Sequence, residues 1–328
     1  MTRDGYIDFL KGVCIIWVVL THNLPPYLQD SIGFSVWGAM AVPLFLLLQC
    51  YHVFRKGFST LNIKWRSFYN VKKLLHRIIL PFIFTTVCSA IVLVLSGSPL
   101  LNVIKNALIE GGIGPGSYYF WIYVQFLIIV PPVFFLIKRW GGWRLHLAFI
   151  AIAQLLEIVC MVSGIIEPLY RLLCFRYVFL VYLGFIWSQT MISKRLEKWQ
   201  VIFAVVSLAA LVNIHYVVKG SLNPIFHDTG WRDCHWICYY WAAFLLPWLL
   251  RYLYNICHKR LKRFIEYTGR YSYEIFLTQM FVFTAYPVIF KNTLHGVYVF
   301  LITTVASIFP VLLYQYCKNK LKLKLKQT

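Results

Sequence analysis

Acidic residues are scarce in this chain. Of 328 residues only 11 are Asp or Glu, against 32 Lys or Arg, and charged residues together make up 13%. A water-soluble domain carries nearer a quarter, so a charged, solvated exterior is excluded. The nine cysteines contain no Cys-x-x-Cys spacing. Cys234, His235 and Cys238 lie close together, yet the rest of a zinc-ligand set is missing, and buried free thiols are the ordinary state. No metal is therefore expected. No repeat is found, no low-complexity stretch beyond the C-terminal tail, and no segment between apolar runs long enough for a soluble domain. The basic flank of the first apolar run, Arg3 and Lys11, is interrupted by Asp4 and Asp8, and no small-residue cleavage site follows. That run reads as a retained span rather than a signal peptide.

What is abundant is apolar and aromatic. Such residues make up 60% of the chain, Phe, Trp and Tyr alone 18%, and the mean hydropathy is +0.68. A soluble fold of this composition would expose large sticky patches; lipid removes that penalty, and the aromatics suit interfacial belts. Apolar runs of about twenty residues fall near 6–24, 34–54, 75–96, 118–138, 145–164, 169–189, 200–218, 235–255, 271–290 and 294–316. Lipid-exposed backbone must satisfy its own hydrogen bonds, so these runs are expected as helices. The expected fold is all-α: a polytopic membrane bundle of about ten transmembrane helices over residues 1–317, with a basic cytoplasmic tail at 318–328.

Orientation follows from the cations. With the N-terminus inside, 26 Lys and Arg residues fall on inner segments and six on outer ones, which places both termini in the cytoplasm. The net charge of +21 is thereby explained without nucleic-acid binding, since the basic residues sit between apolar runs. The tail KNKLKLKLKQT alternates Lys with Leu and is expected on an anionic inner leaflet, making membrane lipid a partner.

Ionisable groups within a membrane are costly and usually face a cavity. The first span holds Asp8, Lys11 and His22. Lys11 and His22 are eleven residues apart, so they share one stripe to within about 20° and lie about 16.5 Å apart along the helix axis. Asp8 stands about 40° off that stripe and could pair with Lys11, three residues on. One helix face thus joins a cation near the cytoplasm to an imidazole near the outer side.

The run DFLKGVCIIWVVLTHN, residues 8–23, resembles the opening span of the acyltransferase 3 family, whose hallmark is Arg or Lys, ten residues, then His. Asp8, Lys11, Gly12 and His22 match. AVPLFLLLQCY at 41–51 is similar to the second span, with Gln49 and Cys50 in place of the usual Ser and Gly. HRIILPF at 76–82 is similar to the start of the third: Arg77 matches the second Arg of an Arg-x-x-Arg, Leu74 holds the first place, and Lys73 is one residue away. SYYFWIYVQFLIIVPP at 117–132, RYVFLVYLGF at 176–185 and TGRYSYEIFLTQM at 268–280 resemble later segments, the last with Gln279 where the family has His.

This resemblance implies an integral membrane O-acyltransferase of the bacterial inner membrane. The donor it implies is acyl-CoA, most often acetyl-CoA. The acceptor is a carbohydrate, a surface polysaccharide or its lipid-linked precursor; nothing about oligomeric state follows. His22 is the candidate catalytic base, since neutral imidazole suits that task near pH 7, and Asp8 is grouped with it. Lys11, Arg77 and Lys73 are candidates for the phosphates of the donor, although a lysine at a span end can also simply snorkel. Gln279, Gln125, Trp121, Tyr119 and Glu157 are candidates for the acceptor pocket. The aromatics also fit an interfacial belt, the glutamines an interhelical bond, and Glu157 a pairing with Arg171 or Arg176. In EGGIGPGSYYFW at 110–121 the glycines match no nucleotide fingerprint and point to tight turns. A glycan or solute exporter is the rival reading, because spans with buried polar groups fit that as well.

Overall fold

The computed structural model describes residues 4–59, 71–140, 142–165, 169–193, 195–213, 236–290 and 297–324. Among these residues there is no strand, and eight helices are long and apolar enough to cross a membrane. The chain is an all-α, multi-pass membrane protein. The apolar run near 200–218 appears as the shorter helix Lys198–Val212, and residues 214–218 lie outside the described set. The run near 235–255 is broken into a 3-10 turn at Trp236–Cys238, a π turn at Trp241–Leu245 and a helix at Leu246–Ile256. Pro247 has no N–H to continue the α-helical ladder, which gives a physical reason for the irregular turn before it. Cys234 and His235 lie outside the described residues.

The chain separates into two compact units. Unit 1 comprises residues 1–32, 75–117 and 254–328, and unit 2 residues 33–74 and 118–253. Unit 1 opens with α1 (Gly5–Asn23), whose N-cap Asp4 accepts a hydrogen bond from the Tyr6 N–H at 3.0 Å. Pro25 forces the preceding Leu24 into extended backbone (φ −69°, ψ 131°) and ends the helix one turn after Leu20. That stop fixes His22 in the last turn. Unit 2 contains α2 (Ala41–Ser59). Unit 1 continues with α3 (Leu80–Leu95), entered through a π turn at Leu75–Ile79, and the short α4 (Leu100–Ile109).

The remaining helices of unit 2 are α5 (Tyr118–Trp140), α6 (Trp143–Val162), α7 (Val178–Ser193) and α8 (Lys198–Val212). Its centre is the packing of α2 on α7. A Cβ at Gly184 would lie 2.5 Å from the Cβ of Cys50, so a side chain at that crossing would push the helices apart. Gln49 donates to the Tyr123 carbonyl on α5 at 3.0 Å. The two departures noted in the second span are thus accommodated by packing: one thiol against one glycine, one amide on a neighbouring backbone.

Helix α9 (Leu246–Ile256) begins in unit 2 and ends in unit 1, which closes with α10 (Lys259–Arg270), α11 (Ser272–Phe290) and α12 (Val297–Lys324). Helix α12 remains helical through Lys324, so Lys318 and Lys320 extend the helix. Its direction is fixed at both ends. Asn23 bonds Thr304 at 2.9 Å and accepts from Thr303 at 2.7 Å, while Asn319 bonds the Tyr271 hydroxyl at 3.2 Å. Helix α12 therefore runs antiparallel to α1 and α11.

The first half of α1 packs on α10 at backbone distance. A Cβ on Gly269 would fall 1.8 Å from the Asp8 carbonyl oxygen, and one on Gly12 2.1 Å from that of Ile265. Only two glycines allow the chains to meet this closely, within range of Cα–H···O contacts. Gly269→Ala is expected to separate the helices and cost at least about 1–3 kcal/mol, read as a lower melting temperature of the purified protein in detergent. An unchanged melting temperature would show that the crossing tolerates a side chain.

Candidate functional site

The polar residues of unit 1 gather at two levels. At the level where α1 begins, Asp8 is buried, 4% exposed, and its carboxylate pairs with the Arg270 guanidinium at 3.4 Å. Arg270 sits at the last position of α10, brought there by the Gly12 and Gly269 crossing. Lys11 lies one turn further along α1 and is half-buried. The Tyr273 hydroxyl, at the start of α11, donates to the Ile78 carbonyl at 2.6 Å. That bond ties the exposed Arg77 and its π turn to the same end of the unit. Lys73 is exposed and precedes this turn within unit 2. Nothing local in the sequence marks Arg270, although it stands inside the TGRYSYEIFLTQM segment. Its partner is far off in the chain, so no local spacing could reveal the pair.

The second level is the end of α1. Asn23, held between Thr303 and Thr304 of α12, fixes the last turn by two bonds worth about 0.5–1.5 kcal/mol each. The His22 ring is thereby set edge-on to Phe283 of α11, with centroids 6.1 Å apart. Against it comes the glycine-rich turn between α4 and α5. Gly111, Gly112, Gly114 and Gly116 all have positive φ, from 71° to 142°. These are conformations that L side chains rarely adopt.

Gly114 meets α11 too closely for a side chain, and Gly116 comes into tight contact with it. A Cβ on Gly114 would lie 2.6 Å from the Met280 carbonyl oxygen, and one on Gly116 3.2 Å from Phe276 and 3.8 Å from Nε2 of His22. Between them, the Pro115 carbonyl accepts a hydrogen bond from Nε2 of Gln279 at 3.3 Å. Gln279 is fully buried. The expectation of tight turns at 110–116 holds, and the turn does more than connect: it sets backbone against His22. His22, the glycine turn and Gln279 arrive from three separate segments.

The other candidates lie in unit 2. Gln125 donates to the carbonyls of Leu172 (2.6 Å) and Trp121 (3.1 Å) and accepts from the Cys174 N–H at 3.1 Å. Its amide anchors the turn between α6 and α7. Glu157 is buried and accepts from the Tyr170 hydroxyl. The buried Arg176 guanidinium lies over the Tyr170 ring at 5.5 Å, and Arg171 over Tyr118 at 5.3 Å. Glu157 thus belongs to a buried cluster with Tyr170 that Arg176 flanks. Tyr119 packs beside Phe45 and Tyr123, and Trp121 is 42% exposed.

Chemically, unit 1 offers a cationic end with a neutralised carboxylate, and an opposite end with one imidazole over a backbone turn. Among the described residues no group of three or more His, Cys, Asp or Glu side chains is placed to hold a metal ion.

A family model described as an acyltransferase domain matches residues 4–315, which takes in both levels of α1, the glycine turn and most of α12. No curated protein and no solved structure matches the chain.

Asp8→Asn is expected to lower stability by about 1–3 kcal/mol, since Arg270 loses its charged partner. In a double-mutant cycle with Arg270→Gln, melting temperatures should show coupling, the double variant being little worse than either single one. Simple additivity would mean that the pair contributes nothing.

Proposed function

We propose, from the premise that the chain belongs to the acyltransferase 3 family and is a multi-pass membrane acyltransferase, that it acylates a hydroxyl of a surface carbohydrate. The acyl group, acetyl above all, comes from acyl-CoA. The acceptor is a polysaccharide or its lipid-linked precursor, and the setting is a bacterial inner membrane with both termini in the cytoplasm. The observation that carries this reading is the layout of α1, with Lys11 and His22 on one stripe about three turns apart and His22, in the last turn, seated at the glycine turn.

The chemistry follows from the residues. The donor carries phosphates, and Lys11 and Arg77, with Lys73 before them, supply cations on the side the positive-inside asymmetry assigns to the cytoplasm. His22 as neutral imidazole removes the proton of the acceptor hydroxyl as that oxygen attacks the thioester carbonyl. The same imidazolium then returns the proton to the departing thiolate. Asp8 does not face this proton transfer. It pairs with Arg270 near the cationic end and keeps that end ordered.

Transfer of radiolabelled acetyl from acetyl-CoA into envelope glycan tests this directly. His22→Ala is expected to reduce transfer by about 10²–10⁴-fold while the protein still accumulates and melts as wild type. A folded His22→Ala variant that transfers normally would remove His22 from the chemistry. Absence of label with wild type would favour the exporter reading.

Lys11→Ala is expected to raise the KM for acetyl-CoA about tenfold, the loss of one ion-pairing contact, and to leave the acceptor KM unchanged. An unaltered donor KM would take Lys11 out of the donor site.

A further inference from the structure

We propose that the backbone N–H of Gly116 is the oxyanion donor of the transfer reaction, and that Gln279, through its bond to the Pro115 carbonyl, is the positioning residue that aims it. The inference rests on the acyl-transfer reading above.

The argument begins with one peptide plane. The Pro115 carbonyl and the Gly116 N–H belong to the same planar trans unit, so they point in opposite directions. Nε2 of Gln279 holds that carbonyl at 3.3 Å. A carbonyl can only accept, so the Gln279 amide must present its NH₂ side there. The plane is thereby pinned with its oxygen toward Gln279 and its N–H directed away. Among the described residues that N–H meets no acceptor. Gly116 has φ +83°, a conformation glycine adopts without strain. Its Cβ position would lie 3.8 Å from Nε2 of His22. A fixed donor without a partner among the described residues therefore stands on the residue that lies against the candidate base.

Acyl transfer requires such a donor. When His22 takes the hydroxyl proton, the acceptor oxygen forms a bond to the thioester carbon, and the π electrons of the carbonyl move onto its oxygen. That oxyanion is where charge develops. When it collapses the carbon–sulfur bond breaks, the electron pair leaves with sulfur, and the thiolate takes the proton back from His22. An N–H already oriented at that oxygen stabilises the transition state without reorganisation.

Gln279 fits positioning rather than contact with substrate. It is 0% exposed, and its Oε1 is buried without a partner among the described residues. Its amide makes one hydrogen bond among the described residues, the one to Pro115.

The test replaces the N–H itself. Glycolic acid, introduced at position 116 of the full-length protein by nonsense suppression, exchanges N–H for oxygen at nearly constant shape, while weakening the Pro115 carbonyl as an acceptor. With radiolabelled acetyl-CoA and envelope glycan, kcat is expected to fall about 100-fold, with the KM for acetyl-CoA within about twofold. Gln279→Leu should lower kcat about 10- to 100-fold, again at near-constant KM. Gln279→His, which keeps an N–H donor for Pro115, should recover most of that loss. An ester variant transferring at the wild-type rate would overturn the proposal. So would a folded Gln279→Leu protein with unchanged kcat, which decides the matter if the ester variant does not accumulate. Wild type is assayed first: if it is inert toward acetyl-CoA, the acyl-transfer reading itself fails, and this inference with it.

Discussion

The contact on which unit 1 depends is the backbone crossing of α1 and α10 at Gly12 and Gly269. Lipid gives little hydrophobic drive for helices to associate, so close packing and interhelical polar contacts must supply it. Here the Asp8 carbonyl oxygen rests against the Cα of Gly269, and the Ile265 carbonyl against Gly12. That approach brings Arg270 to Asp8 and so neutralises a carboxylate buried within the protein. It also fixes the rotation of α1 about its own axis. Since α1 is a rigid rod, the rotation set at Gly12 determines which way His22 faces three turns later. The bonds of Asn23 to α12 then hold that far end.

A chain with so few acids places its polar groups with evident economy. Asp8 has Arg270; Glu157 has Tyr170, with Arg176 over the Tyr170 ring; Gln125 engages three backbone groups; Gln49 bonds a carbonyl of the next helix. Each has at least one partner away from water, although Oε1 of Gln49 is buried without one among the described residues. The Gly116 N–H and Gln279 Oε1 are distinguished by where they lie. Both are polar groups without partners among the described residues, both belong to the turn or its clamp, and both lie near the one histidine at the end of α1.

The stripe from Lys11 to His22 was legible in the sequence because a helix is periodic, so spacing alone gives direction. The eight long helices were legible because twenty apolar residues can satisfy their backbones in lipid in only one way. The run near 235–255 shows where this logic stops. Mean hydropathy is blind to Pro247, whose missing N–H accompanies the π turn at Trp241–Leu245. The EGGIGPGS segment was readable as a turn, since glycine without a Cβ favours one. Its orientation against His22 was not readable, because it depends on Met280, Phe276 and Gln279 more than a hundred residues away.

The sequence by itself determined a helical membrane protein, its family and the candidate base, since composition, periodicity and motif order are properties of the chain read in one dimension. The tertiary structure alone decided that Asp8 pairs with Arg270, that Gln279 holds Pro115, and that the glycine turn meets the imidazole. Each of these joins segments that are remote in the chain. Their encounter is set by how closely backbones can approach, a condition fixed by a few glycines and visible only once the helices are packed.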